Sequence, residues 1–285
     1  MVYIYIIMYG IHINSDPNKI ISELDEYKKT CKVIQMFVNI NKKYNNIYEQ
    51  FKSKIKELSM NVVIHASYTI NIAQEWSEYS WWITQLIEEI KISDKINAKY
   101  IVIHLGKKID LDDNSAMNNM YSSLLYIHNQ TKKLSIKLLL ETSSGQGSEM
   151  CKTIDSLYVL MNKFLNSPNE LIKNRFGVCV DTCHIFSAGY PINNKEETIK
   201  YINEFEKKIK ISNIKVLHLN DSKNGVGSNI DRHENINYGH IGINGLEPII
   251  KLCFKLNIPI ILETPVENIK LDLDILKNLE KNTKK

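Results

Sequence analysis

Eight short, β-branched apolar runs recur along the chain, and longer amphipathic stretches separate them. They cover residues 9–13, 33–38, 62–65, 100–104, 137–141, 177–181, 216–219 and 259–263. The intervening segments carry helical signals. Residues 16–29 open on Asp16-Pro17, a pair suited to an N-cap and first helical position, and residues 79–97 place apolar side chains at i, i+3 and i+4. Eight strands alternating with helices over 285 residues predict a (β/α)₈ TIM barrel. A doubly wound open sheet would show fewer strands and a glycine-rich first turn, which this chain lacks. No Pro/Gly/Ser-rich linker interrupts the pattern, so residues 1–285 are expected to form one domain, with a short basic tail from about residue 281.

A composition of 44% hydrophobic and 24% charged residues can fill such a core, and it excludes a disordered chain, a collagen or a disulfide scaffold. The net charge of +4 is too small for binding nucleic acid by bulk charge, so any such contact must come from local patches. Five cysteines, an odd number, point to a reducing compartment. Cys179 and Cys183 lie in or beside an apolar run and lack CxxC spacing, so they read as small buried hydrophobes. The apolar N-terminus has neither a basic n-region nor a cleavage site and is far short of a membrane span. It reads as a first strand. The expectation is an intracellular monomer, cytoplasmic or nuclear (in a viral factory or virion if the source is a virus), neither secreted nor membrane-associated.

Six consecutive runs end in a side chain that can bind metal: His65, His104, Glu141, Asp181, His218 and Glu263, separated by 39, 37, 40, 37 and 45 residues. Each interval is about one βα unit, so in a barrel all six fall at the C-terminal ends of strands three to eight, where barrel active sites are built. One strand-end histidine is ordinarily a hydrogen-bonded core residue, and one strand-end acid ordinarily caps a helix. Six in register would be costly in a partly dry cup without cations to hold them. Asp181 also opens Asp-Thr-Cys-His, placing His184 three residues later on the start of a helix. Asp231 and His233 alternate in an Asp-Arg-His loop, and extended backbone would point both the same way. Mixed imidazole and carboxylate donors suit Zn²⁺, with Mn²⁺ or Fe²⁺ as alternatives at some sites, and nine such residues fit two or three ions.

The segments VIHASYTIN, VIHLG, LLLETSSGQGS, GVCVDTCHIFSAGY, VLHLNDSKNGVGSNIDRHENINYGHIG and ILETP resemble, in order, the endonuclease IV family of apurinic/apyrimidinic DNA repair endonucleases. The resemblance runs from about residue 9 to 264. It implies three zinc ions: one held by His65 and His104 and shared with Glu141, a second by Glu141, Asp181, His218 and Glu263, and a third by His184, Asp231 and His233. All nine positions carry the residue the family pattern asks for. It further implies a DNA repair hydrolase that cuts double-stranded DNA on the 5′ side of an abasic site, leaving a 3′-hydroxyl and a 5′-deoxyribose phosphate, with Glu141 as the central catalytic carboxylate.

Reading an abasic site requires loops that extrude the damaged nucleotide, and Tyr68 matches the family residue that enters the DNA stack. Lys42 and Arg232 are the expected phosphate or gap contacts, with Lys43, Tyr44, Lys107, Lys108 and Lys223 nearby; in so lysine-rich a chain each also reads as solvated surface. Two positions depart from the family pattern: Thr69 stands where an apolar residue is usual, and Lys42 stands where an arginine usually inserts. His12 reads as a rim histidine or as support for the metal ligands. His128 and His240 read as structural, and Gly145 and Gly147 as a phosphate nest or as a tight turn positioning Glu141. Two rival readings remain open on residues alone: a metal-dependent barrel sugar isomerase or epimerase, which has no use for His184, Asp231 and His233, and a barrel that binds damaged DNA without cutting it.

Overall fold

A computed structural model of the chain describes residues 8–13, 16 and 19–283. Eight parallel strands close into a barrel: β1 (Tyr9–His12), β2 (Val33–Phe37), β3 (Asn61–His65), β4 (Tyr100–Ile103), β5 (Lys137–Glu141), β6 (Phe176–Asp181), β7 (Ile214–His218) and β10 (Ile260–Leu262). A small antiparallel pair, β8 (Asp221–Ser222) and β9 (His233–Glu234), lies between the last two. The helices are α1 (Ile20–Tyr27), α2 (Asn45–Leu58), α3 (Trp81–Lys95), α4 (Asp113–Thr131), α5 (Ile154–Leu165), α6 (Glu170–Lys173), α7 (Thr182–Ser187), α8 (Lys195–Lys208), α9 (Gly242–Leu256) and α10 (Ile269–Thr283). The expected (β/α)₈ barrel is therefore what the chain forms.

The barrel interior is layered, and the layering places the site. Val33, Val63, Val102, Leu139, Cys179, Val216 and Ile261, one from each of seven strands, form a fully buried cluster of their own. The eighth strand supplies Gly10, in register with Val33 and Ile261; a Cβ there would lie 1.6 Å from the Val33 carbonyl oxygen, so no side chain fits. A step of two along a strand returns to the same face. Two residues beyond the apolar layer therefore stand His12, Gln35, His65, His104, Glu141, Asp181, His218 and Glu263, an entirely polar ring at the C-terminal mouth.

Element bounds differ from the sequence pattern by a few residues. Strand β7 starts at Ile214 because a register shift opposite Val178 and Cys179 accommodates Lys215, which separates Ile214 from the apolar run and hid it. Helix α1 begins at Ile20 rather than near Asp16, with no side-chain cap from Lys19; Pro17 lies outside the described residues. Helix α3 begins at Trp81 rather than Tyr79. The basic tail expected from residue 281 is helical as far as Thr283, because Ile269, Leu273 and Leu276 continue an apolar face; residues 284–285, like residues 1–7 of the expected first strand, lie outside the described residues. All five cysteines are buried and unpaired. Among the described residues no helix is long and apolar enough to cross a membrane.

Candidate metal centre

His65, Glu141, Asp181 and His218 end their strands, and His104 and Glu263 follow theirs directly, so the barrel itself fixes six Cα positions around the mouth. Glu141 sits at the centre with its oxygens turned to different partners. Oε1 lies 2.7 Å from His218 Nδ1 and 3.7 Å from His184 Nδ1, whereas Oε2 lies 2.9 Å from His104 Nε2 and 3.4 Å from His65 Nε2. Donor atoms of Glu141, Asp181, His218 and Glu263 all lie within 4.8 Å of one another, as do those of His184, Asp231 and His233. His65 and His104 meet at Glu141 Oε2, although the group of three containing His65 whose donor atoms lie within 4.8 Å of one another takes His218 in place of His104.

Asp181 joins the two groups. Its Oδ1 accepts from the His184 backbone N–H at 2.9 Å and so caps α7, which brings His184 round to the mouth. Its Oδ2 faces His233 Nε2 at 3.5 Å. Asp231 comes from the loop between β8 and β9, and His233 opens β9. The Asp231 N–H donates to Gln146 Oε1 at 2.9 Å, and Gln146 lies in the Gly145–Gly147 turn, whose glycines have φ of +80° and +65°. That turn holds Asp231, not Glu141. Nor is it an open phosphate nest: the Glu149 carboxylate already accepts from the Gln146 N–H and from the Ser143 and Ser144 hydroxyls.

Burial by itself would push the Glu141 carboxyl up, but His104 and His218 beside it outweigh this and hold it well below the usual carboxylate range. Burial likewise opposes charge on His104, His184 and His218, yet the surrounding carboxylates raise all three, and Asp181 with Asp231 lifts His233 to about 9. In the ion-free cup, protons on imidazole balance the acids. Cys183 approaches Asp181 and His233, but burial pushes its thiol up to about 12, so it stays a neutral packing group.

On the rim, Tyr68 is 70% exposed and meets the Phe37 ring edge-on, with ring centroids 6.1 Å apart. Lys42 is exposed at the turn after β2, and Lys43 lies over the Tyr44 ring. Arg232 is exposed but curls back, donating from Nη1 to the Asp231 carbonyl at 2.6 Å. Lys108 pairs with Asp113 at 2.7 Å and Lys107 approaches Glu149 at 3.7 Å, while Lys223 is exposed. Thr69 spends its hydroxyl on Ser67 Oγ. His128 is buried on α4, and the exposed His240 is tied through its N–H to the Ser222 carbonyl. A cavity of about 390 Å³ lies over the ring, lined by His12, Phe37, Tyr68, His104 and Asp231 among others. A second, of about 230 Å³, lies beside it between Asn71, Lys107, Ser143 and Glu149.

Two supporting residues lie outside the sequence reading. Gln35 completes the polar ring together with His12, and the two-residue step applied to the second strand places it there. Asn220 is fully buried. It donates from Nδ2 to Asp181 Oδ2 at 2.7 Å and accepts from the Glu263 N–H at 2.9 Å, a role with no periodic signal.

The family described as xylose isomerase-like TIM barrel matches residues 26–284. A probable endonuclease 4 of Persephonella marina is 40% identical over 235 residues, which cover 82% of this chain and 79% of the relative. The crystal structure of endonuclease IV from Thermus thermophilus superposes with a TM-score of 0.78 at 22% identity, covering 96% of this chain and 99% of that one. A D-tagatose 3-epimerase-like protein superposes with a TM-score of 0.75 at 15% identity, covering 98% of each chain, so the fold alone does not separate a nuclease from a sugar epimerase.

Proposed function

The chain belongs to the endonuclease IV family of xylose isomerase-like TIM barrels, and from that premise we propose a zinc-dependent AP endonuclease that hydrolyses the phosphodiester 5′ of an abasic site in double-stranded DNA, leaving a 3′-hydroxyl and a 5′-deoxyribose phosphate. The observation that carries the reading is a set of buried donor atoms aimed at common centres. Glu141 Oε2, His184 Nε2 and His233 Nε2 are all buried and make no well-aligned hydrogen bond among the described residues, although each lies 2.9–3.2 Å from a group of opposite charge. Polar atoms left this way are costly unless cations complete them. The donors fit zinc. His65, His104 and Glu141 would hold one ion, Glu141, Asp181, His218 and Glu263 a second, and His184, Asp231 and His233 a third, with Mn²⁺ or Fe²⁺ as substitutes.

Bound there, zinc supplies a nucleophile at neutral pH, because it lowers the pKa of coordinated water to about 7, and offsets the charge of the phosphate. The chain's own residues do the positioning. Glu141, divided between two groups, sets their separation, and Asp181 ties the inner group to the outer. The two adjoining cavities receive a nucleotide turned out of the duplex, a distortion least costly where the base is already missing. Tyr68 enters the stack and Lys42 faces the gap left by the missing base, while Arg232 meets the backbone. A sugar isomerase would leave His184, Asp231 and His233 unused, and a module that only binds would carry nine costly polar residues without need.

The test is incision of a duplex with one synthetic abasic site by zinc-reconstituted protein, with and without chelator, and identification of both product ends. Cleavage that needs the metal and leaves the stated termini is expected. An intact duplex, or termini produced by cleavage on the 3′ side, defeats the reading.

A further inference from the structure

Among the described contacts, four imidazoles of the cup have a nitrogen facing a neutral carbonyl or amide oxygen, and one of the four is held differently. Nδ1 of His65 faces the Ala66 carbonyl at 2.7 Å, Nδ1 of His184 faces the Thr142 carbonyl at 2.8 Å, and Nδ1 of His233 faces the Glu263 carbonyl at 3.4 Å. A carbonyl oxygen only accepts, so each Nδ1 carries its proton and Nε2 is presented to the carboxylates. His218 is reversed. Its Nδ1 faces Glu141 Oε1 at 2.7 Å and Glu263 Oε2 at 3.2 Å, and its Nε2 faces the side-chain amide of Gln35 at 2.8 Å.

The orientation of that amide is determined by its other neighbours. Gln35 Nε2 lies 2.6 Å from Glu263 Oε1, and an ionised carboxylate can only accept, so the amide nitrogen must be on that side. The same nitrogen lies 3.1 Å from His12 Nδ1, which itself lies 3.4 Å from Glu263 Oε1. Gln35 Oε1 is therefore left facing His218 Nε2, where it accepts that ring's N–H. Gln35 is fully buried, so no water competes for these bonds.

We infer that Gln35 is a positioning residue of the metal centre: it fixes His218 as the tautomer protonated on Nε2, presents Nδ1 as the ligand atom, and holds Glu263 in the same group. A backbone carbonyl does this for the other three rings and cannot be removed by substitution, whereas Gln35 can. The inference rests on the proposal that the cup holds zinc. Outer partners of ligand histidines typically alter metal affinity by about 10–100-fold.

The experiment compares the full-length wild type with Gln35→Met, which keeps the volume and removes every bond, and with Gln35→Glu, which keeps an acceptor for His218 and loses the donors. Zinc per chain and site affinities are measured by competition with a chromophoric chelator, and the ring tautomers by long-range ¹H–¹⁵N NMR of the zinc-loaded protein. For Gln35→Met, zinc at the His218 group weakens by about 10–100-fold while the His184, Asp231 and His233 group is unchanged, and His218 loses its single Nε2–H signature. Gln35→Glu restores that signature. Unchanged affinity and tautomer in Gln35→Met overturn the inference, and so does equal weakening of all groups with a lowered unfolding midpoint, which assigns Gln35 to packing. A wild type that takes up no zinc defeats the metal reading itself, a result distinct from either.

Discussion

The inner and outer halves of the cup are built by different means. Asp181 and His218 are wholly buried at the ends of strands, held by ladders that the whole barrel shares, and Glu141 joins them on the adjacent strand. Asp231 and His233 keep 31% and 20% of their side chains exposed, and they come from a loop and the two-residue strand β9 that follows it, whose placement depends on individual polar contacts such as Gln146 to Asp231. The inner group is thus preorganised by the fold, and the outer group by local hydrogen bonds. The same division sets expectations for damage to each, because a strand end cannot move without the barrel while a loop can.

Glu141→Gln is the severest way to probe the difference, since both oxygens serve, each toward a different set. Zinc-reconstituted Glu141→Gln is expected to lose incision of an abasic duplex by at least about 10³-fold, and metal analysis should show fewer ions per chain. Wild-type incision would break the idea that one carboxylate links the two halves. His233→Ala is the matching change in the outer half. It should remove one zinc, reduce incision by about 10²-fold and leave the unfolding midpoint of the barrel nearly unchanged; loss of all the metal would mean that the halves are not separable.

The two halves were also unequally legible in the sequence. The inner candidate ligands are legible because the βα unit repeats, so His65, His104, Glu141, Asp181, His218 and Glu263 fall at matching phase in successive runs. His184 was legible through the helix that Asp181 caps, and Asp231 with His233 through their alternation. The supports were not. Gln146 meets Asp231 and Asn220 meets Asp181 across loops far apart in sequence, contacts that no local period encodes. Gln35 lay within reach of the period-two rule, but attention to metal-binding residue types passed over an amide. The start of α1 was displaced for a local reason: it lacks a side-chain cap at Lys19, and the Asp16-Pro17 pair upstream gave a misleading signal.

Protons offer a gentler way to separate the halves. His233 is raised to about 9, so in the metal-free protein it is charged at neutral pH, and zinc must displace that proton. Affinity of the outer group should therefore climb by up to about tenfold per pH unit between pH 6.5 and 9 and level off above that. The sign for stability is the reverse. A histidine raised on folding stabilises the metal-free fold fully below its unfolded value and ceases to do so as pH rises through 9. Metal-free protein should lose thermal stability across this window, while zinc-loaded protein should not. Parallel curves for the two forms would show that His233 does not exchange its proton for metal.

A smaller effect is expected at Lys42, the proposed DNA contact farthest from the support of the barrel. It stands exposed in the turn after β2, where nothing described restrains its ammonium, and the sequence resemblance leads to the expectation of an arginine at this position. An ammonium is a point charge on a flexible stem, whereas a guanidinium is a planar fork that can stack in the gap left by a missing base and donate twice. Loop-borne recognition should thus be improvable without touching the ring. Lys42→Arg is expected to raise the preference for abasic over intact duplex by less than about tenfold, or ~1.4 kcal/mol, with zinc content and maximal incision rate unchanged. Paired binding titrations at fixed salt measure this directly, since phosphate contacts alone would strengthen both duplexes equally. A rise in affinity for both would place Lys42 against the backbone, and a change in zinc content would mean that loop and ring are coupled more closely than their separate construction implies.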